Sequence, residues 1–160
     1  MKFATLCYIS RDGETLMLHR NRKQDDMHYG KYVALGGKSE PGESPEECVS
    51  REVEEESGLK LKKCRLKGSV TFSNEGRIFS DGKPREDWHV FVFVAEDFEG
   101  KQEECPDGDL KWVANSLLHT LPMWPGDRLI LQWLEQPGIF SAKLTYKDDK
   151  LADHKVFFYQ

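Results

Sequence analysis

Apolar and β-branched residues cluster from Phe3 to Ser10 and again from Thr15 to His19, on either side of polar Arg11-Asp12-Gly13. Two such runs joined by Asp-Gly predict an opening β-hairpin. Lys23 to Lys31 is polar and reads as a loop, and Tyr32 to Leu35 as a short strand running into Gly36-Gly37. Leu61 to Phe72 and Trp88 to Ala95 follow as strands, with Ser73 to Asp87 as a polar loop between them. Val90-Phe91-Val92-Phe93-Val94 is apolar at every position, which suits a sheet covered on both faces. Leu110 to Ala114 predicts another strand, Ser116 to His119 a helical turn, and Phe140 to Tyr146 with Lys155 to Tyr159 a closing strand pair.

Two helices interrupt these strands. Ser44 can cap the first, Pro45 suits its first position, and Glu47 lies three after the cap, where it closes a capping box. Gly58 supplies a left-handed stop. The second runs from Arg128 to Glu135, with Asp127 as a candidate cap and Pro137-Gly138 as its end. Strands, a helix, more strands and a final helix imply mixed α/β layers.

Composition narrows the classes. The chain has 160 residues, 38% hydrophobic and 32% charged, enough to bury a core as a single domain spanning residues 1–160. Its net charge of −5 and lack of a basic cluster argue against binding a nucleic-acid duplex. No apolar run is long enough to cross a membrane, and the start lacks the apolar core of a signal peptide. Cys7, Cys48, Cys64 and Cys105 lie far apart without metal-finger spacing, so reduced thiols and a cytoplasmic location are the expectation. A monomer satisfies everything the sequence shows.

The first helix carries the chemistry. Between Glu43 and Glu56 stand seven glutamates, with Arg51 as their single positive partner. At about 100° per residue, Glu52, Glu55 and Glu56 share one helical face and Glu54 points away. Like charges at these spacings weaken a helix by a few tenths of a kcal/mol per pair, a cost that a hard divalent cation removes. An arbitrary glutamate-rich helix is more often a solvated face than a metal site. Here the surrounding residues fill the whole pattern G-x5-E-x7-R-E-U-x-E-E-x-G-U, with U a bulky apolar residue. Its positions are Gly37, Glu43, Arg51, Glu52, Val53, Glu55, Glu56, Gly58 and Leu59.

That pattern resembles the Nudix hydrolases. The resemblance implies an α/β Nudix fold, a mixed β-sheet sandwiched between helices (α/β/α), and hydrolysis of a nucleoside diphosphate linked to another moiety. Carried over by position, Glu52, Glu55 and Glu56 with the Gly37 carbonyl would bind Mg²⁺, or Mn²⁺ in its place. Glu52 or a neighbouring glutamate would take the proton from the attacking water, and Arg51 would hold the carboxylates in register. A further carboxylate is expected from a later loop, with Asp107 preferred over Glu103 and Glu104.

Outside the box the chain looks like the MutT-type enzymes that hydrolyse oxidised purine nucleoside triphosphates such as 8-oxo-dGTP. Ala4-Thr5-Leu6, Leu16 to Asn21, Gly30-Lys31-Tyr32, Met123 to Asp127 and Phe140 to Lys143 carry that likeness. It implies that Trp124 stacks on the base, Asp127 reads its edge, Thr5 and Phe72 line the pocket, and Arg20 meets the phosphates. Taken alone, Trp124 and Phe72 are core candidates, Asp127 a helix cap and Arg20 a surface charge. Two positions depart from the animal enzymes of this branch. Val33 stands where they carry a base-reading Asn, and Gly126 where they carry the first of two aspartates. Another nucleoside diphosphate derivative is the alternative substrate, and a catalytically silent nucleotide-binding module the alternative from a different class.

Overall fold

The computed structural model describes residues 1–75 and 86–160. β1 (Lys2–Arg11) and β2 (Glu14–His19) form the opening hairpin. Asp12 and Gly13 both take positive φ, 54° and 77°, the geometry of a primed turn whose twist matches its strands.

β1 organises the main sheet. One edge runs parallel to β6 (Trp88–Glu99), and the other pairs antiparallel with β4 (Leu35–Lys38), which sets Thr5 opposite Gly37. β5 (Lys60–Glu75) lies antiparallel to β6 and parallel to β8 (Ile139–Lys147), and β9 (Lys150–Tyr159) closes the far edge. A smaller sheet is built on β2, which pairs with β3 (Tyr32–Val33) and with β7 (Asp109–Ala114).

Alternation along the central strands feeds two cores. Val90 and Val92 of β6 pack with Ile130 and Trp133 of α2 (Pro125–Leu134). Phe93 and Ala95 pack on the opposite face, with Val49 and Val53 of α1 (Pro45–Ser57). The mixed sheet therefore lies between helices, in agreement with the α/β/α expectation. α1 starts and stops as its sequence dictates: Ser44 and Glu47 exchange both bonds of a capping box, and Gly58 takes φ 77° at the C-terminus. Buried Lys67 ties β5 to the turn that follows α2 by donating to the carbonyls of Gln136 and Gly138.

Several boundaries differ from expectation. Tyr32 to Leu35 is not one strand: β3 and β4 join different sheets, with Ala34 between them. β6 and β9 extend beyond their apolar stretches, because pairing with β5 and β8 carries their polar ends. β5 continues through Glu75, so the expected Ser73 to Asp87 loop starts later, and its residues 76–85 lie outside those described. Asp127 is not a cap: α2 begins two residues earlier at Pro125, and Trp124 is the N-cap, without a side-chain bond. No helix among the described residues is long and apolar enough to cross a membrane.

Candidate active site

α1 packs against β4 and β1, the two strands that pair with each other here. Gly36 is required here: at φ 139° a Cβ on it would run into the Thr5 carbonyl, while a Cβ on Gly37 would come within 2.6 Å of the Glu52 carboxylate and push it aside. The Cys48 thiol donates to the Gly37 carbonyl at 3.6 Å, and Gly36 N–H donates to Glu56 Oε1 at 2.8 Å. β4 is thus pinned to the acidic face of the helix.

Arg51 organises the outer carboxylates. Its Nε and Nη2 grip Glu43 at 2.6 and 2.9 Å, a two-pronged contact suited to a guanidinium. Nη1 donates to Glu52 at 2.8 Å and Glu55 at 3.2 Å, and Nη2 also reaches the Lys38 carbonyl at 2.9 Å. The Arg51 bond holds the Glu43 carboxyl down at about 2. Glu52 moves the other way, because burial and then the charges of Glu55 and Glu43 outweigh Arg51. Glu55 remains largely in solvent.

Glu56 differs from both. It is 9% exposed, and burial first of all pushes its carboxyl up to about 8, with the Glu52 and Asp107 charges adding to the rise. Ligand atoms of Glu56, Cys105 and Asp107 all lie within 4.8 Å of one another. Asp107 therefore joins Glu56, the one helix carboxylate in that group, whereas Glu103 packs at the end of α1, its N–H donating to the Ser57 carbonyl. Cys105 was not singled out by the sequence, where no spacing marks it. A cleft of about 340 Å³ opens beside it, bordered by Arg22, Glu103, Glu104 and Asp109. Arg20 pairs with Asp26 at 2.8 Å, and its charge is felt at both Glu56 and Cys105.

The remaining candidates assemble on the α2 face of the sheet. Phe72 stacks on Tyr146 at 6.4 Å, and Tyr146 meets Trp124 edge-on at 5.9 Å. The Tyr146 hydroxyl accepts from Gly126 N–H at 2.8 Å, and a Cβ at 126 would stand 2.5 Å from that oxygen. Burial raises Asp127 to about 7, and its charge reaches the hydroxyls of Tyr8 and Tyr146. Tyr146 is the slot residue that sequence reasoning missed. Its signal was the even-numbered face of β8, shared with Phe140, Ala142 and Leu144.

Thr5 does not join this slot. It is buried on the α1 face, with Oγ1 3.4 Å from Cys48 Sγ, because alternation along β1 sends residues 5 and 7 one way and 6 and 8 the other.

The comparisons with known proteins agree with this geometry. The NUDIX domain model matches residues 2–134. The Nudix hydrolase YvcI of Bacillus subtilis (strain 168) is 35% identical over 145 residues, 89% of this chain and 85% of that one. An oxidized purine nucleoside triphosphate hydrolase of Danio rerio is 26% identical over 156 residues, 97% of this chain and 94% of that one. Among solved structures, a MutT protein from Bacillus halodurans superimposes with a TM-score of 0.83 at 31% identity, covering 98% of this chain and 97% of that chain. A complete motif on a pinned acidic helix, under a matching family model, leads to one conclusion: the chain belongs to the Nudix hydrolase family.

Proposed function

We propose that the protein hydrolyses an oxidised purine nucleoside triphosphate, such as 8-oxo-dGTP, to the monophosphate and pyrophosphate, and so cleanses the nucleotide pool. The observation that carries this reading is an aromatic cluster of Trp124, Tyr146 and Phe72, with Asp127 at its side, on the face of the sheet opposite the acidic helix. A stacking surface with few convergent polar groups is the usual form of a base pocket. The name of the Danio rerio relative, which matches nearly the whole chain, supports the same substrate class.

The donor set fits a hard divalent cation. Ligand atoms of Glu56 and Asp107 lie within 4.8 Å of each other and of the Cys105 thiol, Arg51 holds Glu52 and Glu55 on the same helix, and burial penalises the ionised form of Glu56, a cost that a cation offsets. These carboxylates and the Gly37 carbonyl would hold Mg²⁺ or Mn²⁺. When bound, such an ion neutralises phosphate oxygens and lowers the pKa of water.

The chain's own residues supply the rest. Glu52 or a neighbouring carboxylate accepts the proton of the attacking water as a phosphorus–oxygen bond breaks and pyrophosphate leaves. Arg51 positions those carboxylates, and Arg20, leaving its pair with Asp26, would meet the phosphate chain. Asp127, titrating near neutrality, can donate to or accept from a purine edge.

The test is a Mg²⁺ assay on 8-oxo-dGTP, dGTP, ADP-ribose and nucleotide sugars, with products identified and kcat/KM compared. The reading expects 8-oxo-dGTP to lead and to yield pyrophosphate. If 8-oxo-dGTP is no better than dGTP, the sanitation role fails while Nudix chemistry stands.

A further inference from the structure

Lys31 ends the loop that returns from Arg20 to β3, and two backbone bonds fix it there. Its N–H donates to the His28 carbonyl at 2.8 Å, and its carbonyl accepts from Arg20 N–H at 2.9 Å. The side chain then lies across Trp124, with Nζ 4.3 Å from the ring centroid. Trp124 itself is steadied, since its Nε1–H donates to His28 Nδ1 at 2.7 Å and Tyr146 meets it edge-on.

A base stacked on an indole sits at van der Waals separation, about 3.5–4.0 Å between carbon atoms. An ammonium 4.3 Å from the centroid therefore stands in the layer that a stacked base would fill. The contact holding it there is weak, about 0.5–1 kcal/mol at an exposed site, and the four-carbon stem is flexible. An arriving base moves the ammonium sideways to the base's rim without removing it from the slot.

At the rim an ammonium can only donate hydrogen bonds. The purine edge carrying position 6 presents an acceptor oxygen in guanine and a donor amino group in adenine. Val33 has no side-chain donor to place there, and Gly126 has no side chain. Asp127 can donate only while protonated, and above neutrality, where it is ionised, it accepts only. Lys31 is thus the side-chain cation positioned at Trp124 to meet an O6 acceptor.

We propose that Lys31 is a specificity-determining residue: its ammonium leaves the Trp124 face as the base enters and donates to the O6 edge of a 6-oxopurine, against which a 6-aminopurine is rejected. The proposal rests on Trp124 being the residue on which the base stacks.

Wild type, Lys31→Met and Lys31→Arg would be assayed with Mg²⁺ on 8-oxo-dGTP, dGTP and dATP, alongside calorimetric binding of dGMP and dAMP. Wild type should favour both guanine nucleotides over dATP. Lys31→Met should lose about tenfold in kcat/KM on them, through KM, and weaken dGMP binding similarly, the scale of one good base-edge contact. Its dATP kinetics and dAMP binding should change less than about threefold, and Lys31→Arg, still a donor, should keep most of the discrimination. Equal losses on guanine and adenine nucleotides would overturn the proposal, leaving Lys31 as a prop for Trp124, and so would no loss at all. A wild type that ignores all three triphosphates yet cleaves ADP-ribose would instead overturn the purine reading, and this inference with it.

Discussion

The two faces of the central sheet are built differently. On the α1 face, charge is concentrated and bound into one network: Arg51 touches Glu43, Glu52 and Glu55, while Glu56 is pinned by Gly36 and grouped with Asp107. On the α2 face, Trp124, Tyr146, Phe72 and Lys31 meet through ring contacts, with Asp127 half-buried beside them. The first face is rigid, polar and built largely from one contiguous segment. The second draws on residues from four distant parts of the chain. A site that does chemistry on a phosphate chain needs only fixed charges, whereas a site that distinguishes bases needs a shape, and a shape takes more of the fold to build.

This division can be broken by substitution, and the largest effect should come from the acidic face. Glu56→Gln keeps an acceptor for Gly36 N–H but removes the charge, so the fold should persist with an unchanged circular dichroism spectrum. Its kcat should fall at least about 100-fold, more than the loss typical when a residue merely supporting a metal ligand is changed. Wild-type turnover in this variant would remove Glu56 from the chemistry.

Trp124→Ala comes next. The side chain is only partly buried, and its loss should raise KM for 8-oxo-dGTP by about tenfold, the scale of 1–3 kcal/mol for stacking a base on an aromatic ring, with kcat little altered. A variant that fails to fold would show Trp124 to be a core residue instead.

Asp127→Asn should give a smaller effect, visible in stability. The folded carboxyl titrates near 7, against an ordinary value of 3.8, so from about pH 4 to 7 the folded state binds more protons than the unfolded state. Raising the pH through that window therefore destabilises wild type, and above it the penalty is complete and constant. The Tm of wild type relative to Asp127→Asn should decline as pH rises from 5 to 7 and then level off. A difference independent of pH would show that Asp127 is ionised throughout.

The smallest effect is expected from Thr5→Val. Thr5 faces Cys48 and not the slot, so KM for 8-oxo-dGTP should change less than about twofold. A tenfold rise would return Thr5 to the base pocket.

The same contrast explains what could be read from the chain. The capping box at Ser44 and Glu47 and the Gly58 stop follow from spacing along one helix, and local geometry decides them, whereas the three expected metal carboxylates divide: Arg51 holds Glu52 and Glu55, and Glu56 groups with Asp107. Asp107 was legible as a preference among three acids, because only the course of the loop before β7 separates it from Glu103 and Glu104. Cys105 beside Glu56 had no local signal. Tyr146 and Gly126 are far apart in the chain, and their need for one another exists only once β8 lies under the start of α2. Asp127 carried a cap's sequence signature, but Pro125 starts the helix earlier and the carboxyl is left facing the interior. Thr5 was one strand position from the slot, and alternation turned it to the other face.

The central claim is that one face performs the hydrolysis and the other selects the base. Its most direct test is the split between kcat and KM for 8-oxo-dGTP in wild type, Glu56→Gln and Trp124→Ala. The account predicts that Glu56→Gln keeps KM within about twofold of wild type despite its slow turnover, and that Trp124→Ala keeps kcat while KM rises about tenfold. A KM that rises tenfold in Glu56→Gln, or a kcat that collapses in Trp124→Ala, would contradict it.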